Sequence, residues 1–198
     1  MLISIDGIDG CGKSTQVQRL AAALGGETLQ EISPSRWGRQ LRAMKSPSLP
    51  EQLALFTADR AVISERLEMA AGSETVHLVT DRSYLSGVAY QSFQSPLTPE
   101  FVEEMNRTLL PEYDLQIYLH VPVEIAFQRI DERGEGRTWC ENPELLSWAT
   151  GVFSRFAEMR EHVHQVHGVG TIEEVSAHLL AEVEQVSNSR FGRVVWAG

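Results

Sequence analysis

The stretch Gly7-Ile8-Asp9-Gly10-Cys11-Gly12-Lys13-Ser14-Thr15 fits the pattern G-x-x-x-x-G-K-[ST], and each fixed residue type has a chemical reason to be there. Glycines let consecutive backbone N–H groups turn inward around an anion. A helix starting at the end of the loop adds the positive end of its dipole. Lys13 is placed to reach the outer phosphates of a nucleoside triphosphate, and the Ser14 hydroxyl is a hard oxygen ligand suited to Mg2+. The expected phosphate cradle is therefore Gly7, Gly10, Cys11, Gly12, Lys13, Ser14 and Thr15. A glycine turn that binds nothing is the competing reading, and the flanks speak against it. Leu2-Ile3-Ser4-Ile5 reads as a buried strand, and Gln16 to Leu24 is rich in helix formers with Val17, Leu20 and Leu24 on one face.

Two later stretches bring the charged groups that phosphate chemistry needs. Asp81-Arg82 follows the apolar run Thr75 to Thr80, at the expected carboxyl end of a strand, where open α/β sheets gather their ligands. Asp81 there is either a Mg2+ ligand, directly or through water, or a cap on the next helix. Arg129, Arg133 and Arg137 recur at spacing four until Gly134 and Gly136 interrupt the helix. A solvated charged face explains Arg129 and Arg133 beside Asp131 and Glu132. Glycines among arginines better suit a flap that closes cations over transferring phosphates.

The elements that must position these groups alternate strand and helix along nearly the whole chain, which predicts an α/β fold with a parallel sheet. Strands are expected at Leu2–Ile5, Glu27–Ile32, Thr75–Thr80 and Asp114–Val121, with a weak last one at Val169–Ile172. Helices are expected through Trp37, Leu41 and Met44, over Glu51–Ala71, Ser83–Phe93 and Thr98–Leu110, then from Pro122 through Arg129. Two more are expected at Pro143–His164 and Ile172–Val186. The tail with Phe191 and Val194-Val195-Trp196 is expected to dock on the domain.

Composition bounds the possibilities. At 198 residues, with 42% hydrophobic and 22% charged residues, one globular domain is the default. The formal net charge of -10 argues against a nucleic-acid or anionic-membrane partner. Cys11 and Cys140 show no metal-ligand spacing, and a cysteine inside a phosphate loop fits a reducing compartment. The first strand starts at the N-terminus and no apolar run is long enough for a membrane, so a cytoplasmic location is expected.

Several blocks in order resemble the thymidylate kinases, P-loop nucleoside monophosphate kinases. They are Asp6 to Gln16, Leu55-Phe56-Thr57-Ala58-Asp59-Arg60, Asp81-Arg82-Ser83-Tyr84-Leu85-Ser86-Gly87-Val88-Ala89-Tyr90-Gln91, and Pro111 to Leu119, followed by the arginine flap. The resemblance implies a three-layer P-loop NTPase fold, with a central parallel β-sheet flanked by helices. It implies a kinase domain over residues 1–187 with a short arginine-containing lid at about 131–142, then a tail over 188–198. It further implies transfer of the γ-phosphate of ATP to dTMP with Mg2+, giving ADP and dTDP, and a homodimer. Asp9 would contact the acceptor sugar 3′-hydroxyl, Phe56 would stack on thymine and Arg60 would read the base. On the residues alone, Phe56 is a core aromatic and Arg60 a surface ion pair. Arg82 would hold the acceptor phosphate with Asp81 turned to the metal; Ser86 lies near the base, and Tyr90 crowds out a ribose 2′-hydroxyl or is plain core.

Gly10 stands where some relatives carry a loop arginine, which shifts the catalytic cation to the flap, to Arg133 or Arg137 with Arg137 favoured. Three departures surround the acceptor. Gln30-Glu31-Ile32 replaces Arg-Glu-Pro, leaving Arg36 or Arg39 to supply the missing cation. Ser83 replaces an aromatic or histidine, and Cys140 stands where a tyrosine is common. Alternatives that keep the fold are a kinase for another pyrimidine nucleoside monophosphate and a nucleotide-binding regulator without turnover.

Overall fold

A computed structural model of the chain describes residues 1–108, 110–134 and 137–191. Glu135 and Gly136 of the expected lid, Leu109, and the tail residues Val194, Val195 and Trp196 lie outside the described residues. The strands are β1 (Leu2–Asp6), β2 (Glu27–Gln30), β3 (Leu78–Asp81), β4 (Leu115–His120) and β5 (Val163–His167). The helices are α1 (Lys13–Ala23), α2 (Arg36–Ala43), α3 (Leu49–Ala70), α4 (Tyr84–Gln91), α5 (Pro99–Arg107), α6 (Val123–Glu132), α7 (Pro143–Met159) and α8 (Ile172–Phe191).

The strands form one parallel sheet in the order β2-β3-β1-β4-β5. β1 lies in the middle, and its five residues are all buried, as expected of a strand covered on both faces by helices. The architecture is the α/β fold that the strand–helix alternation predicts. Since all strands run the same way, their carboxyl ends share one edge, and β1, β3 and β2 deliver Asp6, Asp81 and Gln30 side by side along it.

Local chemistry sets where the helices begin. Ser48 and Glu51 form a reciprocal capping box at the start of α3, with Pro50 in its first turn. Thr98 and Asn142 cap α5 and α7, each followed by proline. The Ser35 hydroxyl accepts from Trp37 N–H and Gly38 N–H at the head of α2.

Four sequence boundaries are corrected. The last strand is Val163–His167, not Val169–Ile172, because α7 stops at Met159 and does not run to His164. Among the described residues β5 is an edge strand pairing only with β4, so Val163 and Val166 are enough to anchor it, while His164 pairs with Glu182 of α8 and His167 lies against His120 of β4. β3 starts at Leu78 rather than Thr75, and α8 continues five residues past Val186 to Phe191. Among the described residues, no helix is long and apolar enough to cross a membrane.

Candidate functional site

The phosphate loop is the turn between β1 and α1, and close packing dictates its glycines. Gly10 has φ +81°, and a Cβ there would overlap the Ala126 carbonyl oxygen of α6. Gly12, also left-handed at φ 96°, occupies the position before α1. Lys13, the first residue of that helix, is buried, and its ammonium donates to the Ile8 carbonyl at 2.8 Å inside the loop. The Ser14 hydroxyl donates to Asp81 Oδ2 at 2.6 Å, so the two residues expected to share a metal meet directly.

Asp6, the last residue of β1, ties this loop to the other half of the site. It is fully buried and accepts hydrogen bonds from the Ser4 hydroxyl, from the Ser83 N–H and hydroxyl, and from the Ser86 N–H and hydroxyl. Gln116 on β4 donates to the Ser83 hydroxyl at 2.7 Å and accepts from Tyr84 at 3.0 Å. One carboxylate thus replaces hydration with donors from both ends of a buried turn. That turn holds Arg82 at φ 74°, a conformation in which non-glycine residues are rare.

So held, the Arg82 guanidinium forms an ion pair with Asp9 of the loop, donates to Ser86 Oγ at 3.4 Å and lies 5.3 Å from the centre of the Tyr90 ring. The Tyr90 hydroxyl in turn reaches Asp9 Oδ2 at 3.5 Å. Burial works to raise the Asp9 carboxyl, but Arg82 and Lys13 beside it more than compensate and hold it below the usual range. Burial pushes the Tyr90 phenol well up, with the Asp9 charge adding to the effect, so the ring enters the site as a neutral donor.

These groups line a cavity of about 1170 Å³ over the carboxyl ends of β1, β2 and β3. Asp9, Phe56, Arg60, Ser86, Arg133 and Arg137 all reach its wall. Arg60 is not the surface residue that its helix position suggests: it is 2% exposed, bonded to Glu31 at 3.0 Å and to Asn106 Oδ1, with its charge 5.4 Å from the Phe56 ring. Burial pushes the Glu31 carboxyl up, against the pull of Arg60. Gly87 makes room for this arginine, since a Cβ there would stand 2.7 Å from Arg60 Nη2. On the lid side, Arg133 pairs with Glu141 at 2.8 Å and Arg137 pairs with both oxygens of Asp131.

The structure moves one expected residue out of the site. Arg36 is exposed, stacked 4.1 Å from the Trp37 ring, and does not reach the cavity wall. Arg39 is also turned away, donating to the Pro34 carbonyl. The α2 arginine on the wall is Arg42, three residues beyond Arg39, which donates to the Ser33 carbonyl at 3.1 Å, to Gln30 Oε1 at 3.2 Å and to the Ile32 carbonyl. It bends back over the strand exit where the usual arginine is missing. The spacing that could have shown this is one helix face: Arg42 follows the buried Gly38 by four residues, which puts it beside the inward side of α2.

A second cleft, of about 230 Å³, opens on the other side of the loop between Gly12, Thr15, Gln16, Arg129, Gly168 and Thr171. Arg129 donates there to the Gly10 and Cys11 carbonyls at 3.5 and 3.4 Å. In the sequence Arg129 is only the start of the arginine series; its role in pinning the loop comes from the helix–loop contact. A third cavity, of about 860 Å³, lies at the amino ends of the strands beside Asp114 and His162, remote from the loop. Its arginines Arg107, Arg160 and Arg190 are neutralised by Glu103, Glu112 and Asp114.

Comparison with known proteins agrees with this geometry. The family model described as thymidylate kinase matches residues 5–179. This chain belongs to the thymidylate kinase family. It is similar to a thymidylate kinase of Akkermansia muciniphila, with 37% identity over 77% of each chain. It is also 30% identical to a thymidylate kinase of Fervidobacterium nodosum over 91% of this chain and 96% of that one. A probable thymidylate kinase of Archaeoglobus fulgidus shows 34% identity over 68% and 71%. The chain is accordingly an enzyme of the nucleoside monophosphate kinase class, whose family uses a nucleotide donor.

Asp6 is the group whose loss should be felt most widely. Asp6→Asn removes the buried negative charge and turns an amide NH2 toward groups that now donate to it, two of them backbone N–H, so stability is expected to fall by about 3 kcal/mol. Kinase turnover is expected to fall more than about tenfold as Arg82 loses its anchor. Thermal unfolding and initial rates check this, and an unchanged melting temperature with unchanged turnover would show the network to be dispensable.

Proposed function

We propose that this protein is a thymidylate kinase that transfers the γ-phosphate of ATP to dTMP, giving ADP and dTDP for dTTP synthesis. The observation that carries the reading is the Asp9–Arg82–Tyr90 cluster, which sits between the phosphate loop and the wall of Phe56 and Arg60. It unites a carboxylate able to accept from a sugar hydroxyl, a cation for a phosphate, a bulky neutral phenol, and an aromatic face paired with a guanidinium for a base. A binding protein without turnover has no use for that many cations aimed at one point.

The donor side is read as follows. Gly7, Gly10, Cys11, Gly12, Lys13, Ser14 and Thr15 wrap the triphosphate, and the Lys13 ammonium exchanges the Ile8 carbonyl for phosphate oxygens. The cleft between Arg129 and Thr171 takes the donor base. The Ser14 hydroxyl and Asp81 carboxylate, in contact at 2.6 Å, form an all-oxygen donor set that fits Mg2+. Among the described residues no group of three or more His, Cys, Asp or Glu side chains could hold a metal by itself. This suits an ion that takes its remaining ligands from phosphate and water. When bound, the ion supplies charge neutralisation across the transferring phosphates.

On the acceptor side, Phe56 stacks on the base and Arg60 donates to it through Nη2, which has no hydrogen-bond partner among the described residues. Ser86 lies beside the base, and Tyr90 fills the volume that a ribose 2′-hydroxyl would need. Asp9 accepts from the 3′-hydroxyl and Arg82 holds the acceptor phosphate. This phosphate is both nucleophile and dianion, so its approach needs cations more than it needs acid–base chemistry. Arg133 and Arg137 supply them from the lid, with Arg137 the favoured catalytic residue because its carboxylate partner Asp131 is exposed and can be exchanged for phosphate, while the guanidinium rests on the Phe127 ring.

A kinase for a different pyrimidine nucleotide is the second reading, favoured by Ser83, Cys140 and the Gln30–Ile32 stretch, all around the acceptor. Coupled ADP release with Mg-ATP and a panel of nucleoside monophosphates separates the readings. The expected outcome is highest kcat/KM with dTMP; preference for dUMP or dCMP would replace the substrate, and no turnover with any acceptor would remove the enzyme reading. Tyr90→Ser is expected to raise the ribose-to-deoxyribose ratio of kcat/KM by about tenfold or more, the scale of one steric exclusion. A ratio that does not move would make Tyr90 packing alone.

A cytoplasmic homodimer completes the proposal. Val62 and Met69, seven residues apart on α3, are 58% and 65% exposed, an apolar face suited to a second copy. Sedimentation should give twice the chain mass of 22.1 kDa, and Val62→Glu should shift it toward one. A single-chain mass for the unaltered protein would dismiss the dimer.

A further inference from the structure

The pairing of positive charge in this protein is uneven. Arginines on most elements have a carboxylate within ion-pair distance, from Arg19 with Glu173 on the outer helices to Arg60 with Glu31 in the interior. Among the described residues the exceptions fall in two places. Lys13 and Arg129 lie at the phosphate loop, where they donate to its carbonyls. The others are Arg36, Arg39, Arg42 and Lys45, all on α2 or just past its end.

None of these four meets an acid. Arg36 stacks on Trp37, Arg39 donates to the Pro34 carbonyl, Arg42 donates to the neutral oxygens of Gln30, Ile32 and Ser33, and Lys45 has no polar partner among the described residues. The sequence keeps it so, with no Asp or Glu between Glu31 and Glu51. This concentration stands in a chain of net charge -10, whose overall field repels a nucleotide. Arg42 and Lys45 reach the cavity wall, whereas Arg36 and Arg39 do not. Six residues of helix separate Arg36 from Arg42, about 9 Å, close to the Debye length of about 8 Å at physiological ionic strength. The outer pair is thus near enough to act on an anion at the cavity mouth and too far to bind it inside.

We propose that α2 is an electrostatic guide that draws a dianionic nucleoside monophosphate into the acceptor cavity, Arg36 and Arg39 acting before contact and Arg42 and Lys45 receiving the phosphate at the wall. The identity of the anion rests on the kinase reading given above; the guidance itself rests on the placement of unpaired charge. Locally it inverts the repulsive field of the whole chain along the one path that the acceptor takes.

The test is the association rate of the acceptor, followed by stopped-flow tryptophan fluorescence. The probes are dTMP, the other monophosphates of the panel, and thymidine as the uncharged control. The double variant Arg36→Gln/Arg39→Gln should lower kon for the monophosphate about fivefold at low salt and leave koff unchanged. The difference should vanish at about 0.5 M salt, where screening is nearly complete, and thymidine should bind at the same rate in both proteins. Arg36→Lys/Arg39→Lys, which keeps the charge and alters stacking and hydrogen bonding, should retain the rate. Unchanged kon at low salt, a loss confined to koff, or loss in the lysine variant would each overturn the guide. Tightest binding of a different monophosphate would overturn the thymidylate reading, with the guide still judged on that nucleotide. If no monophosphate binds, both fall.

Discussion

The Asp6 carboxylate stands at the junction on which the rest of the site depends. It closes the central strand, and through the serines at 83 and 86 it seizes the first turn of α4. The phosphate loop leaves β1 immediately after it, and Arg82 immediately precedes the serine that it holds. The phosphate loop and the Arg82 turn, from segments some 75 residues apart, are thereby fixed on one anchor. Burying a carboxylate with so many donors is favourable only when each donor is in place, so the arrangement tolerates little slack. That intolerance is what phosphoryl transfer requires, since its catalysis is mostly the positioning of charge.

A consequence of this rigidity is that the cavity cations outside α2 and its end are held by counter-charges rather than by solvent. Arg60 has Glu31, Arg82 has Asp9, Arg133 has Glu141 and Arg137 has Asp131. The pairs are graded by exposure. Arg60 and Glu31 are both almost fully buried and form a fixed wall, while Arg137 and Asp131 are each about half exposed, at 49% and 57% of their side chains. An exposed ion pair contributes little and exchanges readily, whereas breaking a buried one leaves an uncompensated charge. The gradient from wall to lid matches the roles proposed above, base reading on α3 and charge delivery from the segment after α6.

Much of this could be read from the chain itself, for physical reasons that also mark where reading stopped. β1 and β4 are apolar runs covered on both faces, so local composition reveals them. β5, an edge strand spelled Val163-His164-Gln165-Val166-His167, needs only a half-buried pattern and looked like the end of a helix. The phosphate loop was legible because backbone geometry demands glycine at fixed places. The Asp6 network was not, because its members are strand and turn residues that meet only after three strands have aligned. Phe56 and Arg60 illustrate the intermediate case: on helix periodicity they are core and surface, and only the resemblance to thymidylate kinases made them a base site. The structure gives that pairing a cause, since Arg60 is buried beneath α4 in space that Gly87 leaves open.

The departures around the acceptor then form a connected set. Gln30 removes a cation from the end of β2, and Arg42 leans back from α2 to bond the very glutamine that replaced it. Gln30 pairs with Asp81 across the sheet, so the returning guanidinium stands one strand from the carboxylate that meets Ser14. Ser83, in place of a ring, frees no space; its hydroxyl is consumed by Asp6 and Gln116. A cation at a strand end is fixed by the sheet, while one on a helix can be accompanied by others along the same surface, as Arg42 is by Arg36, Arg39 and Lys45. Moving the acceptor cation from strand to helix therefore changes more than an address. On the guide proposed above, it converts a single contact into a graded field, with recognition and approach on one element.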